Sequence, residues 1–268
     1  MRSEAFEIAR QYEDPGERLN VLREYVQAQV LRSFHEAGAF TCLSFVGGTA
    51  LRFVYAVPRF SVDLDFSVEA ASQYEPRGWL QKLDRSLRLG GYEATVTWND
   101  RGVVHSGWVR LAGLLQGLDL ATHPDQKLAV KLEIDSRPPA GANLARTVVT
   151  RHAMLALQHH DLPSLMAGKI HAAVTRAAAK GRDWYDLVWY LSRVPPVRPN
   201  EVLLEEALRQ TREEPAHEDW RELLAAQVDR LDIPAVQADV RPFLEHPEES
   251  EWITREHLQG LIGRAGQG

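Results

Sequence analysis

The sequence predicts an α/β (α+β) fold, in which a mixed sheet with flanking helices is followed by a helical C-terminal domain. Three observations support this fold class. The first half of the chain contains short apolar or alternating stretches separated by glycine turns. From about residue 155 onward the pattern changes to helical periods interrupted by prolines. The length of 268 residues allows two domains, which we place at residues 1–155 and 156–268.

The elements of the first domain follow from hydrophobic periodicity and from turn residues. In chain order we predict a helix over 17–34, a strand over 40–46, a helix over 49–57, a strand over 62–68, a helix over 79–89, two strands of a hairpin over 92–98 and 103–111, and a strand over 128–135. Gly47 and Gly48 separate the first strand from its helix, and Pro58 ends that helix. The order strand, glycine turn, helix is therefore expected near residue 47.

Carboxylates are concentrated on two of the predicted strands. Asp63 and Asp65 are two residues apart, so they point to one face of their strand. In the strand over 128–135, Lys131, Glu133 and Asp135 share the polar face. Carboxylate oxygens are preferred ligands of Mg²⁺, and several carboxylates that converge without a cation would repel one another. The pattern thus predicts a metal site, with either Glu133 or Asp135 as the third ligand.

The glycine turn is suited to binding phosphate groups. Backbone amides after Gly47 and Gly48, together with the positive end of the following helix, form a natural anion site. Thr49 and Ser61 can add hydroxyl donors. Each feature alone is common in proteins, but their combination with the carboxylates indicates phosphoryl transfer.

The run GGTALRFVYAVPRFSVDLDFSV, residues 47–68, resembles the signature of the AbiEii-type nucleotidyltransferase toxins, which belong to the DNA polymerase beta-like superfamily. A later run, LMAGKIHAAVTRAAAKGRDWYDLVWYL at residues 165–191, is similar to the helical elements of the same family. The resemblance implies a nucleotidyltransferase fold in the first domain. It also implies that the helical domain completes an active-site cleft between the two domains.

The resemblance further implies the roles of individual residues. Asp63, Asp65 and Glu133 look like the metal ligands, for Mg²⁺ or Mn²⁺, and Lys169 and Asp183 complete the catalytic set. Either Asp183 or Asp186 serves the site, since the two lie on one helical face. The nucleotide-binding residues implied in this way are Gly47, Gly48, Thr49, Ser61, Lys169, Arg176 and Arg182. Lys169 could equally be a surface lysine, and the arginines could equally form a solvated cationic face.

The resemblance implies transfer of a nucleoside monophosphate from a nucleoside triphosphate (NTP) to an acceptor, expected to be transfer RNA (tRNA). The biological role implied is the toxin of a type IV-like toxin–antitoxin or phage-defence system, with a cognate antitoxin as partner. Alternatives that keep the fold are transfer to a protein hydroxyl, transfer to a small molecule such as an antibiotic, or a catalytically silent binding protein. The NTP, the acceptor and the oligomeric state stay open.

Composition agrees with a soluble protein. The net charge is −6, but residues 201–256 hold 16 acidic residues against 6 arginines, so the remainder of the chain is close to neutral or slightly basic. No apolar run is long enough for a membrane span, and the first residues lack a secretory pattern, so we expect no membrane association and a cytoplasmic location. The pair His159-His160 is expected on a helix, exposed to solvent.

Overall fold

The computed structural model describes residues 1–121, 123, 125–211 and 219–265. The chain divides into two compact units. Unit 1 comprises Met1–Ala56, Phe60–Pro138 and Ala145–His159, whereas unit 2 comprises Val57–Arg59, Pro139–Leu144 and the chain from His160 onward. No helix among the described residues is both long and apolar enough to cross a membrane.

Unit 1 is built on a seven-stranded mixed sheet. Its elements in chain order are α1 (Arg2–Ala9), α2 (Pro15–Glu36), β1 (Leu43–Val46), α3 (Gly47–Tyr55), β2 (Leu64–Val68), α4 (Pro76–Leu89), β3 (Glu93–Asn99), β4 (Val104–Ala112), β5 (Leu128–Asp135), β6 (Leu144–Val149) and β7 (Leu155–His160). The strand order is β3-β4-β5-β2-β1-β7-β6. β2 pairs parallel with β5 and antiparallel with β1, while β3, β4 and β5 form an antiparallel meander. The predicted α/β fold class is confirmed.

The long helix α2 packs on one face of this sheet. Asp14 caps its N-terminus by accepting a hydrogen bond from the Glu17 amide, and Pro15 occupies the first turn, where a missing N–H costs nothing. Phe34 from α2 contacts Phe66 of β2, with ring centroids 5.5 Å apart. Phe66 also stacks on Phe45 of β1 at 5.4 Å. Since side chains alternate along a strand, burial of Phe66 against α2 turns Asp65 to the opposite face of the sheet.

Three sequence-based predictions about the first unit were wrong in detail. The predicted strand over 40–46 begins only at Leu43, because Ala39–Thr41 forms a short 3₁₀ helix. The predicted strand over 62–68 begins at Leu64, so Asp63 precedes the strand. Gly47 and Gly48 form the first turn of α3 and do not precede it. In each case the boundary moved by two or three residues, while the type and order of the elements stayed as predicted.

The expectation that the chain is helical from about residue 155 was also wrong. β7 (Leu155–His160) pairs parallel with β1 at Phe45 and His159, and β6 lies beyond it at the edge of the sheet. His159 is 1% exposed, its Nε2 lies 2.9 Å from the Thr147 hydroxyl, and its ring contacts Tyr55 edge-on. His160 is 8% exposed. Pairing with a central strand buries this segment, which periodicity over six residues could not reveal.

Unit 2 is helical. Its helices are α5 (Leu162–Thr175), α6 (Gly181–Leu191), α7 (Glu201–Thr211), α8 (Trp220–Val228), α9 (Ile233–Val240) and α10 (Arg255–Arg264). α5 packs against α6, α7 and α8, and α6 packs against α9 and α10. A Cβ at Gly181 would lie 2.1 Å from the Val236 carbonyl oxygen, so only glycine allows this approach of α6 to α9. The Gly181 amide also donates to the Asp239 carboxylate over 2.7 Å.

Candidate active site

The glycine turn between β1 and α3 lies directly against Asp65. Gly47 has φ +74°, and a Cβ at this position would lie 2.3 Å from Asp65 Oδ2. The turn therefore needs glycine both for its backbone conformation and for the space that the carboxylate occupies. Gly48 and Thr49 follow in the first turn of α3, whose amides have no intrahelical partners. The predicted phosphate-binding turn and the predicted metal ligand Asp65 are thus neighbours.

Two side chains hold the backbone that leads into β2. The Thr49 hydroxyl donates a short hydrogen bond to the carbonyl oxygen of Asp63. Gln27 on α2, which is buried, donates from Nε2 to the carbonyl oxygens of Ser61 and Val62 at 3.1 and 3.0 Å. Ser61 and Asp63 are themselves half-buried. The loop that carries them is therefore fixed at its backbone, while their side chains keep access to solvent.

The carboxylates of β2 and β5 form a row across the sheet. Asp65 and Glu133 are direct register partners in the parallel pair, and Asp135 is the partner of Ser67, one step further along. Cross-strand partners project to the same side of a sheet. Asp65 and Glu133 are both half-buried. The register therefore places Glu133 closer to Asp65 than Asp135 is to Asp65.

A lysine neutralises part of this row. Lys131 Nζ donates to Glu133 Oε1 over 2.7 Å. This hydrogen bond raises the pKa of Lys131 against the opposing effect of partial burial, and the negative charges of Asp63 and Asp65 raise it further. The ammonium group thus lies in the combined field of three carboxylates. This environment stabilises positive charge, which is the property required of a divalent cation site.

The described residues hold no group of three or more His, Cys, Asp or Glu side chains already gathered around one point where a metal ion would fit. Glu133 is engaged by Lys131. The donor chemistry nevertheless suits Mg²⁺ or Mn²⁺, because Asp63, Asp65 and Glu133 offer only carboxylate oxygens. The residues present therefore fit a hard divalent cation.

In unit 2 the predicted residues Lys169 and Asp183 form an ion pair. Lys169 Nζ lies 2.8 Å from Asp183 Oδ1 and 2.9 Å from Asp186 Oδ2. Burial lowers the pKa of Lys169, but the two carboxylates outweigh burial and the net effect raises it. The lysine side chain is 12% exposed. Lys169 is therefore charged and largely buried, which differs from the alternative of a surface lysine.

The two aspartates of α6 have different surroundings. Asp186 is fully buried and accepts hydrogen bonds from Arg59, including one from Nε at 2.6 Å. Asp183 is bound by Lys169 and by Arg176, whose side chain is 41% exposed. Burial raises the pKa of Asp183, but Lys169 and Arg176 outweigh it and the net effect lowers it. Asp183 thus lies at the more accessible end of the cluster, whereas Asp186 lies in its interior.

Among the described residues, Lys169, Arg59 and Arg176 bind the carboxylates of Asp183 and Asp186, so these five groups together carry a net charge of about +1. Arg182, the other predicted arginine, has its guanidinium carbon 4.6 Å from the Phe243 ring centroid. Sequence reasoning missed Arg59 as a member of the cluster. The available signal was its position between Pro58 and Phe60 in an apolar stretch, since a buried arginine requires a carboxylate partner.

Comparisons with known proteins agree with this fold. A family model described as the nucleotidyl transferase AbiEii toxin, type IV toxin–antitoxin system, matches residues 29–256. MenT4, a nucleotidyltransferase toxin from Mycobacterium tuberculosis H37Rv, has a similar structure, with a TM-score of 0.59, 18% identity, and coverage of 100% of this chain and 90% of MenT4. JHP933 from Helicobacter pylori gives a TM-score of 0.52 at 18% identity, with 92% of each chain covered. No curated protein matches the chain.

Proposed function

Because the chain belongs to the AbiEii family of nucleotidyltransferase toxins from type IV toxin–antitoxin systems, we propose that it transfers a nucleoside monophosphate from an NTP to RNA, with tRNA as acceptor. The observation that carries this proposal is the register pair of Asp65 and Glu133 beside the Gly47 turn. Carboxylates next to a phosphate-binding turn are what nucleotidyl transfer requires, because positioning and charge neutralisation dominate such reactions.

In this proposal Asp63, Asp65 and Glu133 hold Mg²⁺ or Mn²⁺. The bound metal supplies neutralisation of the charge that develops on the transferred phosphoryl group. Glu133 is preferred over Asp135 because of its direct register with Asp65. Asp135 also accepts a hydrogen bond from the Arg137 amide at 2.9 Å, which engages one of its oxygens at the strand end.

The residues of the glycine turn bind the triphosphate. Amides at the start of α3 donate to phosphate oxygens, and the hydroxyl of Ser61 adds a further donor. An acceptor hydroxyl oxygen then bonds to the α-phosphorus, the bond between the α-phosphorus and the bridging oxygen breaks, and pyrophosphate leaves. A carboxylate of the row takes up the hydroxyl proton.

For unit 2 we propose that Lys169, Arg176 and Arg182 serve nucleotide phosphates and that Asp183 orients Lys169. The net positive charge of the cluster supports this role, as does the exposure of Arg176 at its outer end. Asp186 and Arg59 hold the cluster in place from the buried side. The proposed partner outside the reaction is a cognate antitoxin protein, and the proposed location is the cytoplasm.

The test is incubation of the purified protein with each of four α-labelled NTPs, Mg²⁺ and total tRNA, followed by gel electrophoresis. Wild-type protein, Asp65→Asn and Asp84→Asn are compared. Asp84 is a matched control, since it is an aspartate of unit 1 that pairs with Arg88 on the surface of α4. We expect label on RNA with the wild type and with Asp84→Asn, and at least a hundredfold less with Asp65→Asn.

The other outcomes separate the alternatives. Label on the protein itself, lost in Asp65→Asn, would indicate a protein hydroxyl as acceptor. Label that moves into a small molecule only when one is added would indicate that class of acceptor. No transfer to any acceptor, together with no Mg²⁺-dependent NTP binding, would leave a catalytically silent fold and contradict the proposal.

A further inference from the structure

A tryptophan of β4 lies beside the carboxylate row. Trp108 is the register partner of Lys131 on β5 and of Thr97 on β3. Lys131 and Glu133 are two residues apart, so Trp108 projects to the same face of the sheet as Glu133 and its partner Asp65. The flanking residues Gly107 and Val109 are buried on the other face, whereas Trp108 is half-exposed.

Two cations lie near the indole ring. The guanidinium carbon of Arg110 lies 5.0 Å from its centroid, and Lys131 Nζ lies 6.0 Å from it. Arg110 is itself held by a hydrogen bond from Nη1 to the Thr97 hydroxyl at 3.2 Å. An aromatic ring within reach of an arginine and a lysine thus lies on the polar face beside the carboxylates.

We propose that Trp108 and Arg110 form a stacking platform for a nucleobase next to the carboxylate row. This inference rests on the proposed function, because it concerns the same face of the same sheet. Indole rings and guanidinium planes stack on any base, and arginine in addition binds phosphate oxygens. A base held here lies one strand from Glu133 and two strands from Asp65, so the platform orients its nucleotide and does not select its sequence.

The base can come from an unpaired nucleotide of the RNA acceptor or from the incoming NTP. Both sources present the same stacking surface, and binding measurements distinguish them. A purely structural role for the two cation–π contacts would instead affect the stability of the sheet at β4 and β5 and leave binding unchanged.

The experiment measures binding without turnover. A fluorescein-labelled short single-stranded RNA is titrated by anisotropy, and each NTP is titrated by calorimetry in the presence of Mg²⁺. Trp108→Ala and Arg110→Ala are compared with the conservative variants Trp108→Phe and Arg110→Lys. Matched controls are Trp252→Ala, a tryptophan 51% exposed in unit 2, and Arg85→Ala, an exposed arginine of α4. Circular dichroism and Tm verify that each variant is folded.

We expect Trp108→Ala to weaken binding of one probe about tenfold or more, with most of the affinity kept in Trp108→Phe. Loss confined to RNA assigns the platform to the acceptor, and loss confined to NTP assigns it to the incoming nucleotide. Folded Trp108→Ala and Arg110→Ala that bind both probes like the wild type, or wild-type protein that binds neither, would overturn the platform. Failure of the proposed function is recognised separately, as transfer that Asp65→Asn does not reduce.

Discussion

Arg59 Nε donates to Asp186 Oδ1 over 2.6 Å, and neither side chain has access to solvent. The two residues are 127 positions apart in sequence. Removal of one partner leaves a buried charge uncompensated, which is far more costly than loss of a surface pair. We therefore expect Asp186→Ala to lower the free energy of unfolding by about 3–5 kcal/mol, measured by urea denaturation.

The control for this prediction is Asp84→Ala, which breaks the exposed pair with Arg88 on α4. Its loss should be about 1 kcal/mol or less, because solvent screens such pairs. Equal losses of unfolding free energy in the two variants would mean that the buried pair stabilises the protein no more than the exposed pair does.

Glu24 of α2 is the centre of a second buried cluster, in unit 1. Its carboxylate accepts from Arg52, from Arg151 at 3.1 Å, and lies 3.0 Å from His152 Nε2. Burial raises the pKa of Glu24, but the hydrogen bond with His152 and the charges of the arginines outweigh burial and lower it from 4.5 to about 2. The cluster joins α2, α3 and the turn between β6 and β7.

A lowered pKa in the folded state means that ionised Glu24 stabilises the protein above the pKa of the unfolded chain. We expect Glu24→Gln to cost roughly 3 kcal/mol at neutral pH. This difference from the wild type should shrink as pH falls from about 4.5 towards about 2. Urea unfolding of both proteins across this range is the measurement, with exposed Glu93→Gln as control. A difference that does not vary with pH would contradict the ionic origin of the effect.

Gly47→Ala should affect the candidate active site directly. The added Cβ would meet Asp65 Oδ2 at 2.3 Å, in a backbone conformation that alanine rarely adopts. We expect destabilisation by more than about 1 kcal/mol and loss of nucleotidyl transfer by at least about a hundredfold, since a displacement of the carboxylate misplaces the reacting groups.

Gly260→Ala is the matched control, because a Cβ at this position of α10 meets no atom within 4 Å. This variant should be stabilised by up to about 1 kcal/mol through higher helix propensity, with transfer unchanged. Full activity in Gly47→Ala would show that the close approach to Asp65 is unnecessary for the reaction.

Glu133 and Asp135 lie two residues apart on β5, which allows a comparison within one strand. Glu133→Gln keeps the size of the side chain but removes the charge opposite Asp65, so transfer should fall at least about a hundredfold. Asp135→Asn should change transfer by less than about fivefold. The rate of label incorporation at saturating NTP is the measurement. The reverse order would assign the third carboxylate to Asp135.

Much of the fold could be predicted because local patterns agree with it. The amphipathic spacing of α2, the alternation in β2 and β5, and the turn between β3 and β4 each define an element from a few neighbouring residues. β7 could not be predicted in this way, because its pairing and burial depend on β1, about 110 residues earlier in the chain, and β6 in turn pairs with β7. Hydrogen bonding between distant segments leaves little trace in a six-residue window.

The sequence alone identified the residues that we propose for the chemistry: Gly47, Asp63 and Asp65 lie within 19 residues of one another, so their spacing and side-chain types are visible in a linear motif. Only the tertiary structure decided how charge is balanced around such residues. Asp65 becomes the register partner of Glu133, Lys169 pairs with Asp183, and Arg59 pairs with Asp186. Ion pairs depend on distance in space, and the chain brings these partners together only when strands take their register and helices pack.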